Sequence, residues 1–161
     1  MDDLLILQCK ALISKEENQT IANLSNVSSW IFNTFDNINW AGFYLWTGKK
    51  LVLGPFCGKV ACTTIQLGKG VCGTALQQHQ TLIVDDVHKF DGHIACDSAS
   101  NSEIVVPLYI GTSPVGVLDV DSPILNRFDN THKILFESIA KHLTNTSGVA
   151  IAKLFGNSLS N

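Results

Sequence analysis

Apolar and polar positions change register several times along the chain, and each change predicts an element. In "INWAGFYLW" and "KLVLGPF", apolar runs flank "TGKK", a pattern that predicts a β-hairpin with a glycine-containing turn. "SEIVVPLYI" and "SPVGVLDVD" form a second expected hairpin across "GTSP". Between the hairpins, "TTIQL" and "TLIVDD" read as short strands separated by a small helix beginning near Val71. Ile21, Leu24, Ile31 and Phe35 recur at helical steps within 17–36, and a shorter helix is expected over Leu4 to Ile13. A last helix starts near Thr131 with Leu135, Ile139 and Leu143 along one side, and Asp129 or Asn130 is its expected N-cap.

Helices, then hairpins, then a helix describe an α+β fold. The expected form is a mainly antiparallel sheet with the N- and C-terminal helices packed on one face. With 161 residues and no repeat or low-complexity linker, residues 1–161 read as a single domain. Hydrophobic content of 45% against 16% charged residues suits a compact core and argues against disorder. The net charge of -3 gives no pull toward nucleic acid or an anionic membrane. The start, "MDDLLILQCKALIS", places acids where a secretion signal needs positive charge, and no run approaches a membrane span. The expected location is the cytoplasm.

In a reducing compartment, the five cysteines (Cys9, Cys57, Cys62, Cys72 and Cys96) are buried, metal-binding or catalytic rather than structural disulfides. Filling small core gaps accounts for Cys9 and Cys57. For Cys62, Cys72 and Cys96, set in glycine-bearing or polar contexts, core filling and chemistry stand equal. There is no Cys-x-x-Cys. Cys62, Cys72, His93 and Cys96 carry the atoms of a zinc site but lack its paired spacings, so no metal is expected. "GKGVCG" spells Gly-x-Gly-x-x-Gly at Gly68, Gly70 and Gly73, with Asp86 further on. Hairpins rather than alternating strands and helices follow it, so these glycines are expected to serve turns and close backbone approach instead of a dinucleotide.

The acids have their own pattern. Asp119 and Asp121 lie two apart in a strand and share a face, with Leu118 and Val120 on the other, and Glu103 opens the preceding strand. An isolated pair of this kind usually sits on a solvated sheet face. His79 and His93 show no partner and are expected in solvent. Trp40 and Tyr44 are expected to share a face only if a bulge intervenes, as core residues or as a ligand wall.

"NINWAGFYLW", "LVLGPFCGKVAC", "GKGVCGTA", "DVHKFDGHIACDSASNSEIVVPL" and "GVLDVDSP" together resemble the free methionine-(R)-sulfoxide reductases, a family with a GAF-domain fold. The likeness runs from about Asn37 to Phe128, and three cysteines, the acid of "NSEIVVPL" and the Asp-x-Asp fall in the family's own order. Cys57 departs from it, standing where the family usually carries Gln, and receives no family role. The resemblance implies reduction of free methionine (R)-sulfoxide, with Cys96 attacking, Cys62 the main resolving cysteine and Cys72 a second partner. It implies Trp40 and Tyr44 around the substrate methyl, contacts from Glu103, Asp119 and Asp121, electrons from thioredoxin, no bound cofactor, and a homodimer.

The chemistry asks for these residue types. A thiol that reduces a sulfoxide becomes a sulfenic acid, which a second thiol condenses with to give a disulfide. The departing oxygen needs a proton, and clustered carboxyls raise one another's pKa enough to hold one. Nearby carboxylates should also make Cys96 a poorer thiolate, a conflict that the ammonium of a free amino acid would relieve. Glu103 and Asp121 are expected nearer the sulfoxide oxygen, and Asp119 nearer the ammonium. The competing expectation is a GAF-like module that senses a small ligand or redox state without catalysis. A chain of this size without an output domain favours the enzyme.

Overall fold

A computed structural model of the chain describes residues 3–94, 96–157 and 159. Its centre is a six-stranded antiparallel sheet in the order β3-β2-β1-β6-β5-β4. The strands are β1 (Trp40–Trp46), β2 (Lys50–Gly58), β3 (Thr64–Gln66), β4 (Leu82–Val84), β5 (Ser102–Ile110) and β6 (Ser113–Ser122). Both expected hairpins form, β1–β2 and β5–β6, and the two short strands cap opposite edges. Gly48 (φ 96°) and Gly111 (φ 58°) take the left-handed backbone that the tight connections require.

The helices α1 (Asp3–Ala11), α2 (Thr20–Thr34) and α4 (Asn130–Leu154) bury their apolar sides with one face of the sheet. Leu24, Val27 and Ile31 of α2 and Leu135, Phe136, Ile139 and Leu143 of α4 meet Phe43, Ile104, Leu118 and Val120 from the strands. The expected cap holds α4. Asp129 Oδ1 accepts from the backbone N–H of Thr131 (2.9 Å) and His132 (3.1 Å), while Asp129 N–H donates to the His132 ring (3.3 Å). Among the described residues, no helix is long and apolar enough to cross a membrane.

The other face is covered by α3 (Gly70–Gln78), whose Val71, Cys72, Ala75 and Leu76 pack with Trp40, Tyr44, Val105 and Val117. Trp40 and Tyr44 reach that face without the expected bulge. Alternate residues of a strand face one way, so a spacing of four suffices. The pairing of β1 with β6 is unbroken from Trp40↔Asp121 to Leu45↔Gly116. A register shift between Gly42 and Tyr44 exists only toward β2.

Candidate active site

The hairpin register brings the acids together. Glu103 pairs with Asp121 and Val105 with Asp119, so Glu103, Asp119 and Asp121 project from adjacent strands on the α3 side. Trp40 pairs with Asp121 across the next ladder and adds an aromatic wall. Tyr44 continues that wall, its ring stacked on Trp40 at 5.9 Å, and Phe56 also stacks on Trp40, at 5.2 Å. The segment "GKGVCG" then delivers Cys72. Gly68 (φ 78°) and Gly70 (φ 61°) make the turn, and a Cβ on Gly73 would lie 2.3 Å from the Gln66 carbonyl oxygen. Turns and close approach are thus the work of these glycines, as expected.

The three acids, Trp40, Tyr44 and Cys72 line one cavity with His93, Ile94 and Cys96 from the connection that leads into β5. Its volume is ≈ 40 Å³, above the ~10–15 Å³ that a single water needs. Glu103 and Asp119 are each only 6% exposed, which overturns the solvated-face reading of the acids. Oδ1 of Asp119 and Oδ1 of Asp121 are buried without a hydrogen-bond partner. Two orphaned carboxylate oxygens in one cavity ask for a cation or a donor. His93 is not left to solvent either: its Nε2 lies 3.8 Å from Glu103 Oε2. His79, at the left-handed end of α3, stacks on Tyr109 at 3.6 Å.

Burial, followed by the charges of Asp119 and Asp121, pushes the Glu103 carboxyl well above the usual range. Burial and then Asp119 do the same to Asp121. Asp119 is also raised by burial, but the neighbouring side chains of Glu103, Cys72 and Asp121 oppose the rise. Of the three carboxyls, Asp119 is the one whose neighbours favour the charged form, which makes it the acceptor of the cluster. Cys72, 3% exposed and 4.0 Å from Glu103 Oε1, is pushed well up by burial and by Asp119 and Glu103. Burial, then His88, lowers the pKa of His93.

At the cavity mouth Cys62 and Cys96 form a disulfide, their Cα atoms 5.4 Å apart across 34 residues of sequence. The two wall aromatics grip the Cys62 segment, since Trp40 Nε1–H donates to the Lys59 carbonyl (3.2 Å) and Tyr44 O–H to the Cys62 carbonyl (2.9 Å). Seven of the eight residues singled out from sequence line the cavity, and Cys62 joins them through its bond to Cys96. Cys9 lies in the opposite core, its thiol raised to about 12 by burial, and Cys57 pairs with Ala41 on β2 away from the cavity. With Cys62 and Cys96 joined, the weighed four-ligand zinc set is not available in this form. Among the described residues, the ligating atoms that do converge are those of Cys72, Glu103 and Asp119, within 4.8 Å. Sequence reasoning missed Phe56 and the Asn39 bridge, whose Nδ2 donates to Asp97 Oδ2 and Ser100 Oγ at 3.0 Å each. No sequence spacing signals a cross-strand ring stack or a loop-to-loop bridge of this kind.

The GAF domain family model matches residues 22–146. "Free methionine-R-sulfoxide reductase" of Escherichia coli is 54% identical over 112 residues, covering 70% of this chain and 68% of that protein. The protein of that name from Saccharomyces cerevisiae is 46% identical over 145 residues, 85% of this chain and 80% of its own. Among solved structures, the Staphylococcus aureus fRMsr in complex with substrate superposes with a TM-score of 0.83 at 48% identity. That match covers 89% of this chain and 94% of that one.

Proposed function

The chain belongs to the GAF-domain family of free methionine-R-sulfoxide reductases, and on that premise we propose how its own residues carry out the reduction. The enzyme reduces free methionine (R)-sulfoxide to methionine. The observation that carries the mechanism is the placing of a cysteine pair beside a cavity floored by buried carboxyls whose pKa values burial raises.

In the reduced protein, the Cys96 thiolate attacks the sulfoxide sulfur. Glu103 and Asp121, held protonated, donate to the sulfoxide oxygen, and collapse leaves methionine and a sulfenic acid on Cys96. The Cys62 thiol displaces water from that sulfenic acid and closes the disulfide. One sulfoxide and two thiols thus give one methionine, one disulfide and one water. Trp40 and Tyr44 wall the substrate methyl. Asp119, the acceptor of the cluster, pairs with the substrate ammonium, which neutralises the charge that would otherwise oppose a thiolate at Cys96. A peptide-bound residue has an amide there and would leave Asp119 unpaired, so free substrate is preferred. Cys72, kept a thiol by its surroundings, is a second resolving partner. Thioredoxin supplies the electrons, in the cytoplasm and to a homodimer.

The test is methionine release from separate R and S free sulfoxides with dithiothreitol as reductant. Release from the R form alone is expected. Equal rates on both, or none on either, would refute the reading.

A further inference from the structure

Each half of the disulfide is preceded by the same short pattern, Val60-Ala61-Cys62 and Ile94-Ala95-Cys96. The aliphatic residue two positions ahead of each sulfur is left in solvent, Val60 at 87% and Ile94 at 38% exposure. Exposed aliphatic side chains are common singly. Here each lies two positions ahead of one cysteine of the same covalent bond, Ile94 also lining the cavity, and they are not on slack chain. The Lys59 and Cys62 carbonyls on either side of Val60 accept from Trp40 and Tyr44, both themselves buried. Ile94 is seated over Gly70, where an added Cβ would lie 3.1 Å from its Cδ1. Lys59, next to Val60 in sequence, is exposed as well and carries a positive charge.

We propose that Val60 and Ile94 form an apolar collar around the Cys62–Cys96 disulfide and seat a dithiol protein reductant whose reactive cysteine lies in an apolar surface. The inference rests on the redox role of this disulfide proposed above and adds the surface through which it is recycled. The disulfide itself fixes the occupant's chemistry, because a partner centred on that bond has to bring a thiolate, and the Lys59 charge favours one. The reductant's thiolate attacks the Cys62 sulfur, a mixed disulfide forms, and Cys96 leaves as its thiolate. The reductant's second thiol then attacks the mixed disulfide and releases Cys62 as a thiolate. Two electrons pass, and the reductant keeps the disulfide. The collar gains its worth at the encounter, since the aliphatic pair loses water only when the partner closes over the bond.

The experiment follows free thiols in the oxidised protein, with no methionine sulfoxide present, on adding either thioredoxin or dithiothreitol. Val60→Asp alters a side chain outside the core and outside the catalytic set. It is expected to lower the second-order rate with thioredoxin at least fivefold and leave the dithiothreitol rate within twofold. Val60→Ala should fall between it and wild type. A thioredoxin rate within twofold of wild type in Val60→Asp overturns the collar. So does an equal loss with both reductants, which would assign Val60 to loop geometry. So does a change of oligomeric state by light scattering, which would assign the patch to a second copy of the chain. A wild-type disulfide that thioredoxin leaves intact sinks the collar and the recycling step together, while methionine release with dithiothreitol tests the activity separately.

Discussion

The two faces of the sheet are built from the same strands and obey opposite rules. On the α1/α2/α4 side, Leu118 and Val120 of β6 are fully buried among aliphatic and aromatic side chains. On the α3 side, the residues interleaved with them, Asp119 and Asp121, carry buried carboxylate oxygens without partners. One face is closed by apolar contact and is complete in the free protein. The other is left electrostatically unfinished, and its floor of raised carboxyls is a cost that the first face must offset. The contrast separates folding from chemistry within four consecutive residues.

The most severe way to probe that separation is Cys96→Ser. It should abolish even one stoichiometric turnover in a single-turnover assay while circular dichroism and melting remain those of the reduced wild type. A full first turnover would move the nucleophile to Cys72 or Cys62. Leu118→Ala attacks the finished face. Removing a fully buried Leu there should destabilise by ~2–5 kcal/mol in urea titrations, with kcat/KM unchanged at temperatures where the variant is folded.

Its neighbour should behave the other way. Asp119→Asn should cost ~1.5–3 kcal/mol of transition-state binding for the free amino acid, with stability equal to or above wild type. The N-acetyl substrate should lose much less, so the ratio of kcat/KM values narrows. Glu103→Gln should depress both substrates, because both present the same oxygen. If each variant stays within twofold of wild type on free substrate, the acids have no part in the reaction.

The smallest effect is a slope. Glu103 and Asp121 have folded pKa values raised above those of the unfolded chain, so the folded protein holds protons that the unfolded chain releases above pH ~4. Their contribution is full below that point and is lost as pH rises through the raised folded values. Stability of the reduced protein should therefore decline with pH from the ordinary carboxyl range upward. Glu103→Gln should flatten the decline and Leu118→Ala should not. Urea midpoints between pH 4.5 and 8.5 would show a slope common to all three proteins if the acids do not titrate this way.

How far these faces could be read from sequence depends on what each reading required. The β5–β6 hairpin, the shared side of Asp119 and Asp121, and the Asp129 cap are local patterns, and each was legible. Whether the acids faced water was not, because α3 and the connection bearing His93 cover them from elsewhere in the chain. Periodicity assigns a side chain to a face but says nothing of what lies over it. The contact of His93 with Glu103 depends on a loop path that no repeat encodes. For Trp40 and Tyr44 the bulge condition mistakes the strand period, and the β1–β6 ladder corrects it. The family resemblance located the three cysteines, while physical reading alone had left them evenly between core filling and chemistry.

The 34-residue separation of Cys62 and Cys96 also bears on the enzyme's lifetime. A cross-link over a span of that length restricts the unfolded ensemble by about 4 kcal/mol on chain-entropy grounds. Under the proposed cycle, each turnover ties that knot and each recycling step unties it. The fold that waits for substrate is then the more fragile of the two, and the spent one the more durable. Proteolytic clearance would fall on idle, reduced molecules, and enzyme kept oxidised by a flood of sulfoxide would outlast it.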